Sequence, residues 1–146
     1  MTPVRPGLEV LLDERLELVA GKRVGLITNQ AGVTRRLENA VDLLAKHPEV
    51  RLTALFAPEH GVRGDVQAGE PVASFTDERT GLPVYSLYGP TRATRKPTAA
   101  MLANVDVLVC DLQDGGSRYF TFLSTMGYAL EAAAELLERI AGQAGW

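Results

Sequence analysis

An α/β fold, with a Rossmann-like open parallel sheet and flanking helices, is what three features of this sequence predict. Short apolar runs recur at 24–28, 51–57, 83–88 and 105–111, each about the length of a buried strand. Segments with helical spacing lie between them, and strands alternating with helices join into parallel sheets through right-handed crossovers. The third feature is the position of the unusual polar residues. They follow the strands directly, where open α/β sheets bind their ligands.

Each element has its own grounds. Leu8 to Leu18 carries apolar residues at 8, 11, 12, 16 and 18 and is followed by Gly21, which predicts a helix with a glycine stop. Val24-Gly25-Leu26-Ile27-Thr28 is apolar on both faces, as a doubly covered strand must be, and opens into Asn29-Gln30-Ala31-Gly32. Glu38 to Lys46 sets Ala40, Val41, Leu43 and Leu44 on one face of a second helix, closed near His47-Pro48. Arg51 to Ala57 is the second strand, ended by Pro58, which cannot donate within a sheet. Turn residues crowd Arg63 to Leu82, and a loop that long is usually functional or mobile. Pro83 to Tyr88 is the third strand, and Thr91 to Lys96 a basic turn. Thr98, after Pro97, is placed to cap one or two helical turns reaching Ala103. Val105 to Asp111 is the fourth strand. Tyr119 to Ile140 is a long helix with Phe122, Met126, Leu130, Ala133, Leu137 and Ile140 along one side.

Composition narrows the function. The 146 residues are one domain's worth, enough to bury roughly 70% of the unfolded surface. A net charge of −3 with scattered arginines gives no reason to expect a nucleic-acid partner. No apolar run approaches the ~18 residues of a membrane span, so no membrane partner is expected. Met1 to Leu18 lacks a secretory apolar core, which favours a cytoplasmic location. Cys110 is the sole cysteine, so neither an intrachain disulfide nor a cysteine-based zinc site can form. No G-x-G-x-x-G follows the first strand and no G-x-x-x-x-G-K-[ST] occurs, so no nucleotide cofactor is expected. Gly115-Gly116 before a helix is a weak anion signal.

Four polar clusters fall at one edge of the expected sheet: Asn29, then Glu59 and His60, then Tyr88, then Asp111, Gln113, Asp114 and Arg118. Glu59 reads as a general acid if partly desolvated, or as a surface partner of Arg63. His60 reads as a base, a ligand, or a support for Glu59. Of Asp111 and Asp114, one suits holding turn amides and the other suits the second carboxylate of a glycosidase. Arg118 reads as an anion clamp or as a partner of Asp114. Asn29 suits amide or hydroxyl recognition, and Tyr88 suits stacking on a sugar, although both also suit plain turn and sheet-end roles. A mixed set of Glu59, His60, Asp111 and Asp114 would also suit a divalent ion in a metal-dependent hydrolase.

Several strings together resemble the exo-β-N-acetylmuramidase family of bacteria. They are Thr28-Asn29-Gln30-Ala31-Gly32, Leu55 to Gly64, Ala68-Gly69-Glu70, Thr80 to Gly89, and Asp111-Leu112-Gln113-Asp114 with Arg118. The match runs from about Gly7 to Glu135. It implies a glycosidase of cell-wall recycling that releases terminal N-acetylmuramic acid from the non-reducing ends of peptidoglycan fragments. The implied partner is a peptidoglycan-derived muramyl sugar, and the family context allows a periplasmic or secreted location. By that resemblance Glu59 is the leading catalytic acid, with His60 and Asp114 as catalytic candidates. Asn29, Arg63, Tyr88, Asp111, Gln113 and Arg118 would bind substrate. The lactyl carboxylate of muramic acid would suit Arg118 or Arg63. The 2-acetamido group allows substrate-assisted hydrolysis without a protein nucleophile. The family implies a second domain beyond the long helix. Residues 1–146 would then be an incomplete N-terminal domain, inactive alone, with an unpaired sheet edge that favours self-association. The rival functions are a non-catalytic binding module for muramyl sugars or a partner chain, and a purely structural α/β subunit.

Overall fold

A computed structural model describes residues 4–143. Among them, strands β1 (Arg23–Thr28), β2 (Arg51–Ala57), β3 (Phe75–Thr76), β4 (Pro83–Ser86) and β5 (Val107–Asp111) form one sheet in the order β3-β4-β2-β1-β5. The last four of that order run parallel, and β3 pairs antiparallel with β4. Helices α1 (Gly7–Glu14), α2 (Ala40–Lys46), α3 (Ala99–Leu102) and α4 (Phe122–Gln143) flank it. The expected parallel α/β architecture is the one observed.

Successive strand residues face opposite sides, which is why Val24–Ile27 of β1 and Ala54–Ala57 of β2 are apolar on both faces. Leu26 and Leu55 join Leu8, Val41 and Leu44 beneath α1 and α2. Ile27 and Phe56 join Leu102, Ala129 and Ala132 beneath α3 and α4. The central strands β1 and β2 thus carry both layers of the core.

Several boundaries differ from expectation. The first helix stops at Glu14, where Arg15 leaves helical geometry, and a single 3-10 turn follows over Leu16–Leu18. That break turns Val19 into the core and leaves Leu18 outside. The second helix begins at Ala40 instead of Glu38, because the Asn39 side chain accepts from the Val41 amide and caps it. The third strand closes at Ser86, whose hydroxyl accepts from the Tyr88 amide and bends the chain. The strand expected from Val105 starts at Val107. The expected loop over 63–82 contains β3, whose two residues were too few to show a period.

The long helix needs the largest correction. Its buried residues are Phe122, Thr125, Ala129 and Ala132. Of the expected stripe, Met126, Leu130, Leu137 and Ile140 are exposed, Leu137 at 67%. Apolar residues cover two adjacent faces of α4, and spacing cannot say which meets the sheet. Small side chains at 129 and 132 allow close approach to the sheet, and ion pairs from Arg92 to Glu131 and from Lys96 to Glu135 lie on the exposed side of the contact. No described helix is long and apolar enough to cross a membrane. β3 and β5 are the outermost strands of the sheet among the described residues. The end of the chain at Trp146 lies outside the described residues.

Candidate active site

The carboxyl ends of β2, β4 and β5 deliver the polar residues to one edge, and the loop before α4 crosses back over it. Pro58 ends β2, and the next side chain, Glu59, is the centre of the arrangement. Its Oε1 accepts from the Tyr88 hydroxyl and from the Gly69 amide, each at 3.0 Å. Its Oε2 accepts from the Thr121 hydroxyl at 2.8 Å. Burial pushes the Glu59 carboxyl up, but these three donors and the nearby His60 outweigh it, and the net value lies below the ordinary one. A carboxylate that accepts three hydrogen bonds is held in its charged form. Tyr88 is correspondingly raised, by burial and by the Glu59 charge.

Thr121 sits where an N-cap of α4 would be, yet its hydroxyl goes to Glu59. Asp114 takes the capping role in its place. Its Oδ1 accepts from the Gly116 amide at 2.8 Å and its Oδ2 from the Leu123 amide at 3.2 Å, in the first turn of α4. Asp114 therefore fixes the loop that presents Thr121 to Glu59.

His60 occupies the left-handed region at φ 73, a conformation that costs about 1–2 kcal/mol outside glycine. Its ring Nδ1 lies 3.1 Å from the Val66 carbonyl oxygen, and its own carbonyl accepts from the Val66 amide. These contacts close the 60–66 turn, and Gly64 completes it by lying against Gln30, where a Cβ would come within 2.9 Å.

Arg63 does not pair with Glu59 among the described residues. Its guanidinium donates to Asp77 at 2.7 and 3.0 Å and to Asp42 at 3.0 Å. The Arg63 bonds, with help from Thr80, hold the Asp77 carboxyl at about 2 despite its burial. This cluster ties the long loop to α2 and engages Arg63 Nε and one terminal nitrogen within the fold.

Asp111, at the tip of β5, is the second carboxyl of the edge. Gln113 Nε2 donates to its Oδ1 at 3.1 Å, while its Oδ2 is buried without a hydrogen-bond partner. Burial raises the Asp111 carboxyl above its ordinary value, and the Gln113 bond only partly offsets this. Gly32 leaves the room this requires. A Cβ there would stand 2.1 Å from Thr28 Oγ1 and 3.1 Å from Asp111 Oδ2. Asn29, 2% exposed, accepts the Ala31 amide on its Oδ1 and so shapes the same turn.

The structure thus groups Glu59, Tyr88 and Thr121, supported by His60 and Asp114, and sets Asn29 and Gly32 after the neighbouring β1 and Asp111 and Gln113 one strand further, at the end of β5. Arg118 is exposed and makes no hydrogen bond or ion pair among the described residues. The described residues contain no group of three or more His, Cys, Asp or Glu side chains placed to hold a metal, so the metal-ligand set of Glu59, His60, Asp111 and Asp114 is not assembled. Sequence reasoning missed Thr121 and the Gly69 amide. Thr121 lay inside the expected helix, and a threonine at a helix start was the available signal. A backbone amide offers none.

Fold and site together define a Rossmann-like α/β domain whose functional edge is built around a carboxylate tethered by three separate chain segments. Residues 24–141 match the family model described as "Exo-beta-N-acetylmuramidase NamZ, N-terminal", and the chain belongs to that family. It is 55% identical over 132 residues to the peptidoglycan beta-N-acetylmuramidase NamZ of Bacillus subtilis strain 168, covering 90% of this chain and 31% of that protein. Crystal structures of two DUF1343 family proteins from Bacteroides fragilis NCTC 9343 share the fold. One has a TM-score of 0.79 at 55% identity, covering 90% of this chain and 32% of its own. The other has a TM-score of 0.71 at 28% identity, covering 92% of this chain and 32% of its own. The chain spans about a third of the length of these relatives.

Proposed function

We propose that this domain supplies the catalytic carboxylates of an exo-β-N-acetylmuramidase, which releases terminal N-acetylmuramic acid from the non-reducing ends of peptidoglycan fragments. The observation that carries the proposal is Glu59, held at the carboxyl edge by the Tyr88 and Thr121 hydroxyls and the Gly69 amide. A carboxylate fixed so firmly is oriented for one task, and the family match names glycoside cleavage. Two carboxyl groups of opposite character are the usual equipment for it. Glu59 is the charged one. Asp111, raised by burial and short of a partner, is the one that keeps its proton longer. Aromatic faces suit a sugar, and Tyr119, 92% exposed on the loop that carries Thr121, offers one. Asp114 and His60 act as positioning residues, through α4 and through the 60–66 turn.

The test is release of chromophore from an aryl β-glycoside of N-acetylmuramic acid. It is run on this chain and on a chimaera completed with the remaining two-thirds of the Bacillus subtilis relative. Turnover by the chimaera that is lost in Glu59→Gln supports the proposal. Turnover unchanged in that variant removes Glu59 from the mechanism, and a chimaera with no turnover removes the activity. Binding of the sugar without turnover in either protein favours the binding-module reading.

A further inference from the structure

We propose that Arg95 is the anion anchor of this site: it holds the carboxylate of an acidic amino sugar beside Glu59 and sets the preference for that sugar over its neutral counterpart. The inference rests on the glycosidase reading above and names the residue that selects the substrate.

A small cavity of about 80 Å³ opens beside Glu59, lined by Tyr88, Arg95, Thr121, Ser124, Thr125 and Tyr128. Two of these, Tyr88 and Thr121, are the hydroxyl donors to Glu59. The cavity and the carboxylate are therefore separated by no more than those side chains. Arg95 enters it with its guanidinium carbon 5.7 Å from the centroid of the Tyr88 ring. Its Nε donates to the Gly89 carbonyl oxygen at 2.7 Å, which fixes the plane of the group. Its two terminal nitrogens make no hydrogen bond, and it has no carboxylate partner, among the described residues.

Two other arginines of the loops are already paired. Arg63 is taken by Asp77 and Asp42. Arg92, stacked on Tyr128 a few ångströms away, donates to both oxygens of Glu131. Arg118 is exposed on the loop and lines none of the described cavities near Glu59. Arg95 alone combines partial burial, a fixed plane, free terminal donors and a place next to Glu59. A guanidinium so placed presents its fork to a carboxylate, the planar anion it matches best. Muramic acid differs from glucosamine by a lactyl ether whose carboxylate sits on the same ring as the scissile carbon. Tyr88 connects the two groups, with its ring beside the Arg95 guanidinium and its hydroxyl on Glu59.

Calorimetric titration of this chain with N-acetylmuramic acid and with N-acetylglucosamine tests the assignment. Wild type is expected to favour the acidic sugar by about tenfold or more, the size of a charge-assisted hydrogen-bonded pair, with the preference shrinking as salt rises. Arg95→Gln is expected to lose the preference while binding the neutral sugar as wild type does, and Arg95→Lys to keep part of it. Unchanged melting of both variants separates this from misfolding. A preference that survives Arg95→Gln, or that disappears in Arg118→Gln instead, overturns the inference and leaves the glycosidase reading standing. Failure of wild type to bind either sugar counts against both, and equal binding of the two sugars by wild type overturns the inference alone.

Discussion

The Thr121 hydroxyl donates to Glu59 Oε2 at 2.8 Å, across 62 positions of sequence. This bond joins the start of α4 to the loop after β2, and it passes over the end of β1. The first turn of α4 gives up its natural cap to make it, and Asp114 restores the cap from the preceding loop. A helix terminus that sends its hydroxyl outward in this way marks the recipient as the residue the edge is built to hold.

Glu59→Gln should separate chemistry from folding. With the new amide nitrogen at the Oε2 position the Thr121 hydroxyl can rotate to accept from it, while the amide oxygen keeps the Tyr88 and Gly69 donors, so the expected stability loss is about 1 kcal/mol. Turnover of an aryl muramide by the completed enzyme should fall by roughly 10²–10⁴-fold. Chromophore release and urea denaturation read the two quantities, and a loss in the second as severe as in the first would make Glu59 structural.

Tyr88→Phe and Thr121→Val should each move the Glu59 carboxyl upward, because each removes a donor that lowers it. For a carboxyl held below its unfolded value, the stability contribution is complete above that value and lost as pH falls through the folded one. In both variants that loss should begin at higher pH than in wild type. Carboxyl ¹³C titration of Glu59 measures the shift, and the double variant should move it further than either single change.

Asp77→Ala should be the most damaging change outside the core. It leaves the part-buried Arg63 guanidinium with Asp42 alone, and losing one partner of a buried pair costs about 3 kcal/mol. The Asp77 carboxyl is lowered to about 2. Its contribution is therefore present above an ordinary aspartate value of about 3.9 and lost as pH falls toward about 2. Denaturation of wild type and variant should accordingly differ most near neutral pH and converge in strong acid.

Asp111→Asn should behave in the opposite sense. Burial raises this carboxyl, so ionising it opposes folding as pH climbs from an ordinary value of about 3.9 through the folded one. The variant should be at least as stable as wild type at neutral pH, with the advantage gone below about pH 4. Retained stability with lost turnover would identify a group kept for function at the expense of the fold. Gly32→Ala, by contrast, should destabilise, since its Cβ would meet Thr28 Oγ1 at 2.1 Å.

Much of the fold was legible because its signals are local. Leu26 beside Ile27 and Leu55 beside Phe56 announce strands buried on both faces, and both pairs divide between the two core layers. Pro58 announced the end of β2, and Asn29, Glu59, Tyr88 and Asp111 were legible as strand-end residues for the same reason. The rotation of α4 was not legible, because apolar residues lie on two of its faces and the one chosen depends on the close packing of Ala129 and Ala132 against sheet residues far away in sequence. The pairing of Arg63 was not legible, because its partners Asp42 and Asp77 lie 21 and 14 positions away. Arg95 was passed over within a basic turn.

By itself the sequence determined the α/β alternation, the strand order's raw material and the family, since apolar period, proline stops and motif strings are properties of neighbouring residues. Only the tertiary structure decided which charges are spent and which are free. Arg63 is neutralised within the fold, Arg95 is not, Glu59 is held charged by three donors, and Asp111 is left with a buried oxygen lacking a partner. The reason is physical: the state of a charged group depends on the donors, acceptors and solvent within a few ångströms of it, and folding draws those from distant parts of the chain.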